Sequence, residues 1–364
     1  MKIFWLFNHP APYKVDLFNL LGGKDELTAC FERVSESGRN ELFYSRPALC
    51  FKPVLCKGIK FPAYQSYSTT PIEEIRKGDY DAIVINGYST MTEMRTISYL
   101  RKNGMPYFFC INGGIIKKSE NPAKRWLKRK FISGASHYLS PDANSSLYLV
   151  HYGAEPNKIS LYPYSSVFAS EVLENPLDEQ EKLRIRETEF GVGEGHLFVS
   201  AGQFIARKGY LPLIRQWARM PSDYNLLIAG DGEGKRQCQE EIDSLGLHNV
   251  RLLPYLKKEK ALRLFCCADA FLFPTKEDIY GHVVNEALCS GTPVISSPES
   301  NAAKKLVEEG KTGFIIDFND DKRLKSALEY CLSRNLSEHC LAIARQNTLE
   351  LEAKAILEIL ERES

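Results

Sequence analysis

Two acids, two basic residues and a set of glycines carry the chemistry available to this sequence. Thr275 to Ile295 reads TKEDIYGHVVNEALCSGTPVI. The apolar run Ala270 to Phe273 precedes it, and Pro274 ends that run as it ends a strand. Glu277 and Asp278 form an acidic turn, Gly281 opens a short helix, Glu286 sits in its second turn and Gly291 closes it. Strand, acidic loop, helix start and carboxylate, in that order, turn backbone N–H groups toward an anion and hold two acids beside it. A sugar joined to a nucleoside diphosphate uses all of these: N–H groups from Gly281 onward for the phosphates, one acid for the ribose, the other for the sugar. An ordinary βα unit whose acids stabilise a helix start accounts for the same residues more plainly.

A second group lies upstream. The strand His196 to Ala201 (HLFVSA) leads into Gly202-Gln203-Phe204-Ile205-Ala206-Arg207-Lys208-Gly209, then a helix through Leu213 and Trp217. Arg207 and Lys208 offer cations to a diphosphate, and Gln203 offers a neutral amide donor. Alone, two basic residues beside a helix say little; in one sheet with the acidic turn they form a constellation. Between the two groups, Asn225 to Ala229 (NLLIA) ends in Gly230-Asp231-Gly232-Glu233-Gly234, whose glycine spacing is not that of a dinucleotide fingerprint. Val250 to Leu253 is the next strand, followed by Tyr255.

These stretches resemble the signature of family-4 retaining glycosyltransferases of the GT-B fold. The family frame E-x-F-G-x-x-x-x-E-A reads here Asp278-Ile279-Tyr280-Gly281, then Glu286-Ala287, followed by Gly291-Thr292-Pro293. Asp278 stands where the family has Glu, and Glu277 is one place earlier, so two acids compete for the contact with the sugar ring. In the family's G-R-L-x-x-x-K-G, whose Arg and Lys clamp the donor diphosphate, Lys208 keeps its place and Gln203 replaces the Arg; Arg207 is the cation that would restore the charge. The resemblance further implies that Gly202, Gly230, Tyr255, Tyr280, Gly281, His282 and Val283 border the donor nucleotide and that Glu286 takes its ribose.

The implied fold is α/β, two Rossmann-like doubly wound parallel-sheet domains with a cleft between them. The implied reaction is transfer of a sugar from a nucleotide-diphosphate-sugar to a hydroxyl of a glycan or lipid-linked acceptor, with retention. Bacterial surface polysaccharide (O-antigen or capsule) assembly is the implied setting. No Asp-x-Asp motif accompanies these residues, and Lys and Arg can carry the charge work, so no cofactor and no metal are expected. A nucleotide-sugar epimerase of the same fold, an inverting transferase and an inactive glycan-binding relative stay open.

The elements that must position these residues alternate as strand and helix along the chain. Lys2 to Phe7 reads as a buried strand, and a helix runs from Tyr13 to Leu21. Pro10 to Lys14, PAPYK, is similar to a PAPYR element of the family. His9 is either a general base, as in inverting GT-B enzymes, or a lining residue on the acceptor side with Pro10. Residues 27–66 resist parsing, with weak strands near Thr28–Phe31 and Phe51–Leu55. Asp81 to Asn86 and Tyr107 to Ile111 are strands, the second stopping at Asn112-Gly113-Gly114, where backbone approaches an acceptor or simply turns. The expected domains are 1–165, a linker over 166–195, a nucleotide-sugar domain over 196–336 and a terminal helix over 337–364 that returns to the first domain.

At 364 residues, with 44% hydrophobic and 26% charged residues, the chain has room for two soluble domains. No apolar run is long enough to cross a bilayer, MKIFWLFNH is too short for a signal peptide, and ten scattered cysteines point to reduced thiols, so a cytoplasmic protein is expected. No nucleic-acid partner is expected. The net charge of +1 hides a basic N-terminal half and an acidic C-terminal half. Pro122 to Ser133, PAKRWLKRKFIS, is a short basic helix with Ala123, Leu127 and Phe131 on one face and Trp126 beside it. It either packs against the sheet or also touches an anionic membrane at its inner face.

Overall fold

A parallel strand covered on both faces must be apolar along its length, and Lys2–Phe7 (β1) is buried from Ile3 onward. The computed structural model describes residues 1–35, 48–61, 65–117 and 119–364. The chain divides into two units, Met1–Tyr164 with Leu349–Ser364, and Ser165–Thr348.

In the first unit β1 is followed by α1 (Pro12–Gly22), β2 (Glu26–Phe31), β3 (Lys52–Leu55), the antiparallel pair β4 (Gly58–Lys60) and β5 (Ser66–Ser68), and α2 (Thr70–Lys77). Then come β6 (Ala82–Asn86), α3 (Met91–Lys102), β7 (Phe108–Cys110), α4 (Pro122–Ile132), β8 (His137–Ser140), α5 (Ala143–His151) and β9 (Ile159–Leu161). Helix starts are set by local chemistry. Pro12 occupies the first turn of α1, where its missing N–H costs nothing. Thr90 and Glu93 cap each other at α3, Asn121 caps α4 and Asp142 caps α5. Among the described residues seven parallel strands lie in the order β3-β2-β1-β6-β7-β8-β9. The order reverses between β1 and β6, where loops at the strand ends part. The two weak strands of the 27–66 stretch are β2 and β3; residues 36–47 and 62–64 lie outside the described residues. The β4–β5 pair left no apolar signal, since Gly58 to Lys60 are all exposed.

The second unit contains α6 (Glu179–Phe190), β10 (His196–Ala201), α7 (Tyr210–Trp217), β11 (Tyr224–Ala229), α8 (Lys235–Ser244), β12 (Val250–Leu253) and α9 (Lys258–Cys266). It continues with β13 (Ala270–Phe273), α10 (Val283–Cys289), β14 (Val294–Ser296), α11 (Asn301–Leu306), β15 (Gly313–Ile315), α12 (Asp321–Ser333) and α13 (Ser337–Arg345). Its parallel sheet runs β12-β11-β10-β13-β14-β15 among the described residues, so the reversal falls between β10 and β13. Helix α6, read as linker, packs within this unit: Arg186 donates to the Cys267 carbonyl at 2.6 Å and pairs with Asp269 at 2.7 Å.

The single helix expected over 337–362 is two, α13 in the second unit and α14 (Leu349–Glu363) in the first. The break has a local cause. The Asn347 carbonyl accepts from Ser165 Oγ at 2.8 Å and from Asn285 Nδ2 at 2.7 Å, which takes it out of any helical ladder. Helix α14 meets α1 through Lys14 and Glu352, both buried, with Nζ and Oε1 3.8 Å apart.

Candidate active site

Strands β10 and β13 are direct parallel neighbours, with Phe198 opposite Ala270 and Val199 opposite Phe271. Their carboxyl ends flank the reversal of strand order, so the loop 202–208 and the loop 274–281 emerge side by side. This is how residues far apart in sequence meet. Lys208 Nζ forms an ion pair with Asp278 Oδ2 and lies 4.9 Å from the centroid of the Phe273 ring. Lys208 is 8% exposed, so the pair is less screened than one on an open surface.

Backbone contacts stitch the loops together. Arg207 Nη1 donates to the Glu277 carbonyl at 2.9 Å, and Lys276 N donates to the Arg207 carbonyl at 2.6 Å. Gly209 ends the turn at φ 74°, and a Cβ there would stand 2.1 Å from the Pro274 carbonyl oxygen. Only glycine allows this approach. Asp278 is held from both ends: its N–H donates to the Glu299 carbonyl at 2.9 Å, and its Oδ1 accepts from Tyr280 N at 3.3 Å. The short Asp side chain reaches its own loop in this way, as Asx turns do. Glu277 is exposed, and only its carbonyl joins the contacts described.

Helix α10 begins at Val283, two residues later than the glycine expected to open it, and His282 occupies the position before it. Gly281, at φ 98°, brings the chain into that helix, and the rings of Tyr280 and His282 lie tilted with centroids 5.1 Å apart. Glu286 is half-buried in α10, and its Oε1 accepts from Ser166 Oγ at 2.7 Å. Burial pushes the Glu286 carboxyl up from its ordinary pKa, against the pull of Lys258. Gly202 and Gly230 sit at the ends of β10 and β11, with Gly202 N donating to the Ala229 carbonyl at 3.0 Å. Gln203 is half-buried in the same loop, and Tyr255 follows β12. The structure thus gathers Lys208, Arg207, Asp278, the backbone of Glu277 and the start of α10.

Residues that sequence reasoning passed over support the site. Ser300 Oγ donates to the Tyr280 carbonyl at 2.9 Å and Asn301 Nδ2 to the Ile279 carbonyl at 2.9 Å, fixing the loop before α10. Ser166, Lys258 and Glu171 surround Glu286 and carried no signal at all.

On the first unit, His9 and Pro10 follow β1 and Asn112 and Gly113 follow β7, at one end of a sheet in which β6 lies between those strands. His9 is buried, its ring 6.3 Å from that of Phe7. Asn112 Oδ1 accepts from Asn86 Nδ2 at 3.4 Å. Nearby strand ends carry two buried acids the sequence did not flag. Thr90 Oγ1 donates to Glu32 Oε1 at 2.9 Å while Thr90 N donates to Glu93 Oε2 at 2.9 Å. Burial pushes Glu32 up to about 9 and Glu93 up to about 7.

On α4, Phe131 and Ile132 are buried and Leu127 is half-buried, whereas Trp126 is 61% exposed with Lys130 5.0 Å from its ring. Ala123, expected on the packed face, is exposed. Lys128 is not on the open face either: it pairs with Glu120 and donates to Tyr152 OH at 3.0 Å.

Two parallel-sheet units with an acid–base pair at the strand reversal of the second define a class, the GT-B architecture. Residues 181–348 match the family model described as glycosyl transferases group 1, a match that ends where the second unit ends. The chain is similar to the lipopolysaccharide core biosynthesis glycosyltransferase LpsE of Rhizobium meliloti, with 28% identity over 152 residues, 42% of this chain and 44% of that protein. It is also similar to the D-inositol 3-phosphate glycosyltransferase of Corynebacterium urealyticum, with 27% identity over 176 residues, 45% of this chain and 41% of that one. The match spans less than half the length of either relative. Among solved structures, Anabaena HepE in complex with UDP is similar with a TM-score of 0.79 at 15% identity, covering 100% of both chains. That likeness is one of fold.

Proposed function

We propose that this chain is a retaining glycosyltransferase of the family-4 type, moving a sugar from a nucleoside-diphosphate sugar to an acceptor hydroxyl in surface-polysaccharide or lipopolysaccharide assembly. The observation that carries the reading is the pairing of Lys208 with Asp278 at the reversal between β10 and β13. Both are held by loops that backbone hydrogen bonds fix in advance. In the transition state the anomeric carbon takes on oxocarbenium character while negative charge grows on the departing diphosphate. Lys208, Arg207 and the N–H groups at the start of α10 meet that charge with donors already in place, which is where such sites gain most. Asp278 accepts from the sugar hydroxyls, and Glu286 from the ribose; the exposed Glu277 plays no part in the ring contact. The similar structure bound to UDP, together with LpsE and its role in lipopolysaccharide core synthesis, supports a nucleotide donor and a glycan acceptor. The charge work falls to these cations, so metal independence belongs to the proposal, and EDTA should leave the rate unchanged.

The test is a thermal-shift screen of nucleoside-diphosphate sugars, since a donor present at 100 times its Kd stabilises by about 2.7 kcal/mol. The donor that shifts the melt is then incubated with glycan acceptors and the product anomer read by NMR. Retained configuration is the expected result. An inverted anomer would overturn retention and move the chemistry to a base such as His9, an epimerised donor would replace transfer, and binding without turnover would mark a glycan-binding relative.

Contact with a membrane is part of the same proposal. No helix among the described residues is long and apolar enough to cross a bilayer. Exposed Trp126, with Lys124, Arg125, Arg129 and Lys130 around it, gives α4 an apolar tip in a basic field. Each such cation contributes about 1 kcal/mol near anionic lipid. The protein is expected to sediment with phosphatidylglycerol vesicles and not with phosphatidylcholine vesicles, and Trp126→Ala with Arg129→Gln should abolish the difference; equal sedimentation with both would sink the idea.

A further inference from the structure

Glu286 is surrounded by a charged set that the donor reading leaves without a role. Its Oε1 accepts from Ser166 Oγ at 2.7 Å, and the Ser166 carbonyl accepts from Lys258 Nζ. The same ammonium pairs with the Glu171 carboxylate, whose Oε2 also accepts from Phe168 N at 2.7 Å. The Phe168 ring lies 5.5 Å from Lys258 Nζ. One cation at the start of α9 therefore organises the segment 166–171 that holds Glu286.

We propose that Lys258 is a positioning residue that keeps Glu286 ionised and its Ser166 contact in place, so that both carboxylate oxygens can accept from the donor's ribose hydroxyls. This inference rests on the reading of the second unit as a nucleotide-sugar site. A carboxylate accepts at two oxygens; once protonated, one of them becomes a donor and the match to two hydroxyls is lost. The groups facing Glu286 are Lys258 from α9, Ser166 and Glu171 from the segment before α6, and Cys289 from its own helix, whose thiol burial and Glu286 hold well above its ordinary range. Burial raises the Glu286 pKa first, Lys258 and the Ser166 bond lower it, and Glu171 raises it again. The direction of the outcome follows. Nucleotide affinity is present above the Glu286 pKa and is lost as pH falls through it. Removing Lys258 leaves the Glu171 carboxylate without its cation beside Glu286 and moves that loss to higher pH.

The experiment measures binding of UDP and, in parallel, GDP to the full chain by calorimetry from about pH 5.5 to about pH 8.5. Each variant is read relative to the wild type, which cancels the titration of the nucleotide itself. Lys258→Met is expected to lose affinity at least about tenfold at the acidic end, one pKa unit's worth, and to regain wild-type affinity at the alkaline end. Lys258→Arg should follow the wild type. The double variant Lys258→Met/Glu171→Gln, which removes both charges, should move the loss back toward lower pH and keeps the test open if the single variant folds poorly. A loss of equal size at every pH, or no loss at any, overturns the inference while leaving the donor site standing. A wild type that binds no nucleoside diphosphate overturns the donor reading and this inference with it.

Discussion

Replacing Lys208 by alanine is expected to slow glycosyl transfer by about 10²–10³-fold, the usual consequence of removing one oriented donor from a site where negative charge develops. Lys208 is 8% exposed, paired with Asp278 and set over Phe273, so its ammonium is held in one place by the facing loop. Arg207 is the nearest cation in sequence, but its guanidinium is engaged with the Glu277 carbonyl at 2.9 Å. Initial rates with labelled donor check the effect. Because alanine strands the Asp278 carboxylate, the double variant Lys208→Met/Asp278→Asn serves as a folding control: it should melt near the wild type and be inactive. Transfer within about threefold of the wild type in a folded Lys208→Ala protein would remove this residue from the mechanism, since that loss is under about 1 kcal/mol of barrier.

Lys14→Met should destabilise the first unit by about 3–5 kcal/mol, while Lys14→Met/Glu352→Leu should recover most of that loss. Both side chains are fully withdrawn from water. The ammonium stands 5.0 Å from the Tyr164 ring and 5.7 Å from the Trp5 and Phe7 rings, so aromatic faces supply part of its solvation. Removing only the cation takes from buried Glu352 the ammonium that faces it, whereas removing both converts a polar contact between α1 and α14 into an apolar one. Urea unfolding followed by fluorescence in a Trp126→Phe/Trp217→Phe background, where Trp5 reports alone, reads the difference. Equal destabilisation by the single and double variants would show that packing, and not charge, holds α14 to α1.

Those two lysines mark the reach and the limit of the sequence. Lys208 was legible because a strand, a glycine-rich turn and a helix start occur in sequence around it, and those local signals say where a phosphate can sit. Lys14 was not: it falls in the first turn of the helix read from Tyr13, where nothing local marks it for burial, and its partner lies at the far end of the chain. The same limit hid Lys258 and Ser166, since Ser166 meets Glu286 across 120 residues and no periodicity reports such a contact. The structure exposes Glu277 and ties Asp278 to Lys208, a difference between the two acids that their adjacent positions do not show. The division of 337–362 into two helices needed the structure as well. Asn347 suits a helix end, but the two side chains that claim its carbonyl, Ser165 and Asn285, are distant in sequence.

The mutual grip of Lys208 and Asp278 bears on which molecules the site ignores. Orthophosphate offers the ammonium a new companion but leaves the carboxylate stranded, and a free monosaccharide does the reverse. On the proposed reading, a molecule that brings phosphoryl oxygens and sugar hydroxyls together compensates both at once, so each fragment should bind more weakly than the whole. The intact donor should accordingly bind more tightly than its nucleoside diphosphate, and Asp278→Asn should erase or invert that order in a calorimetric comparison.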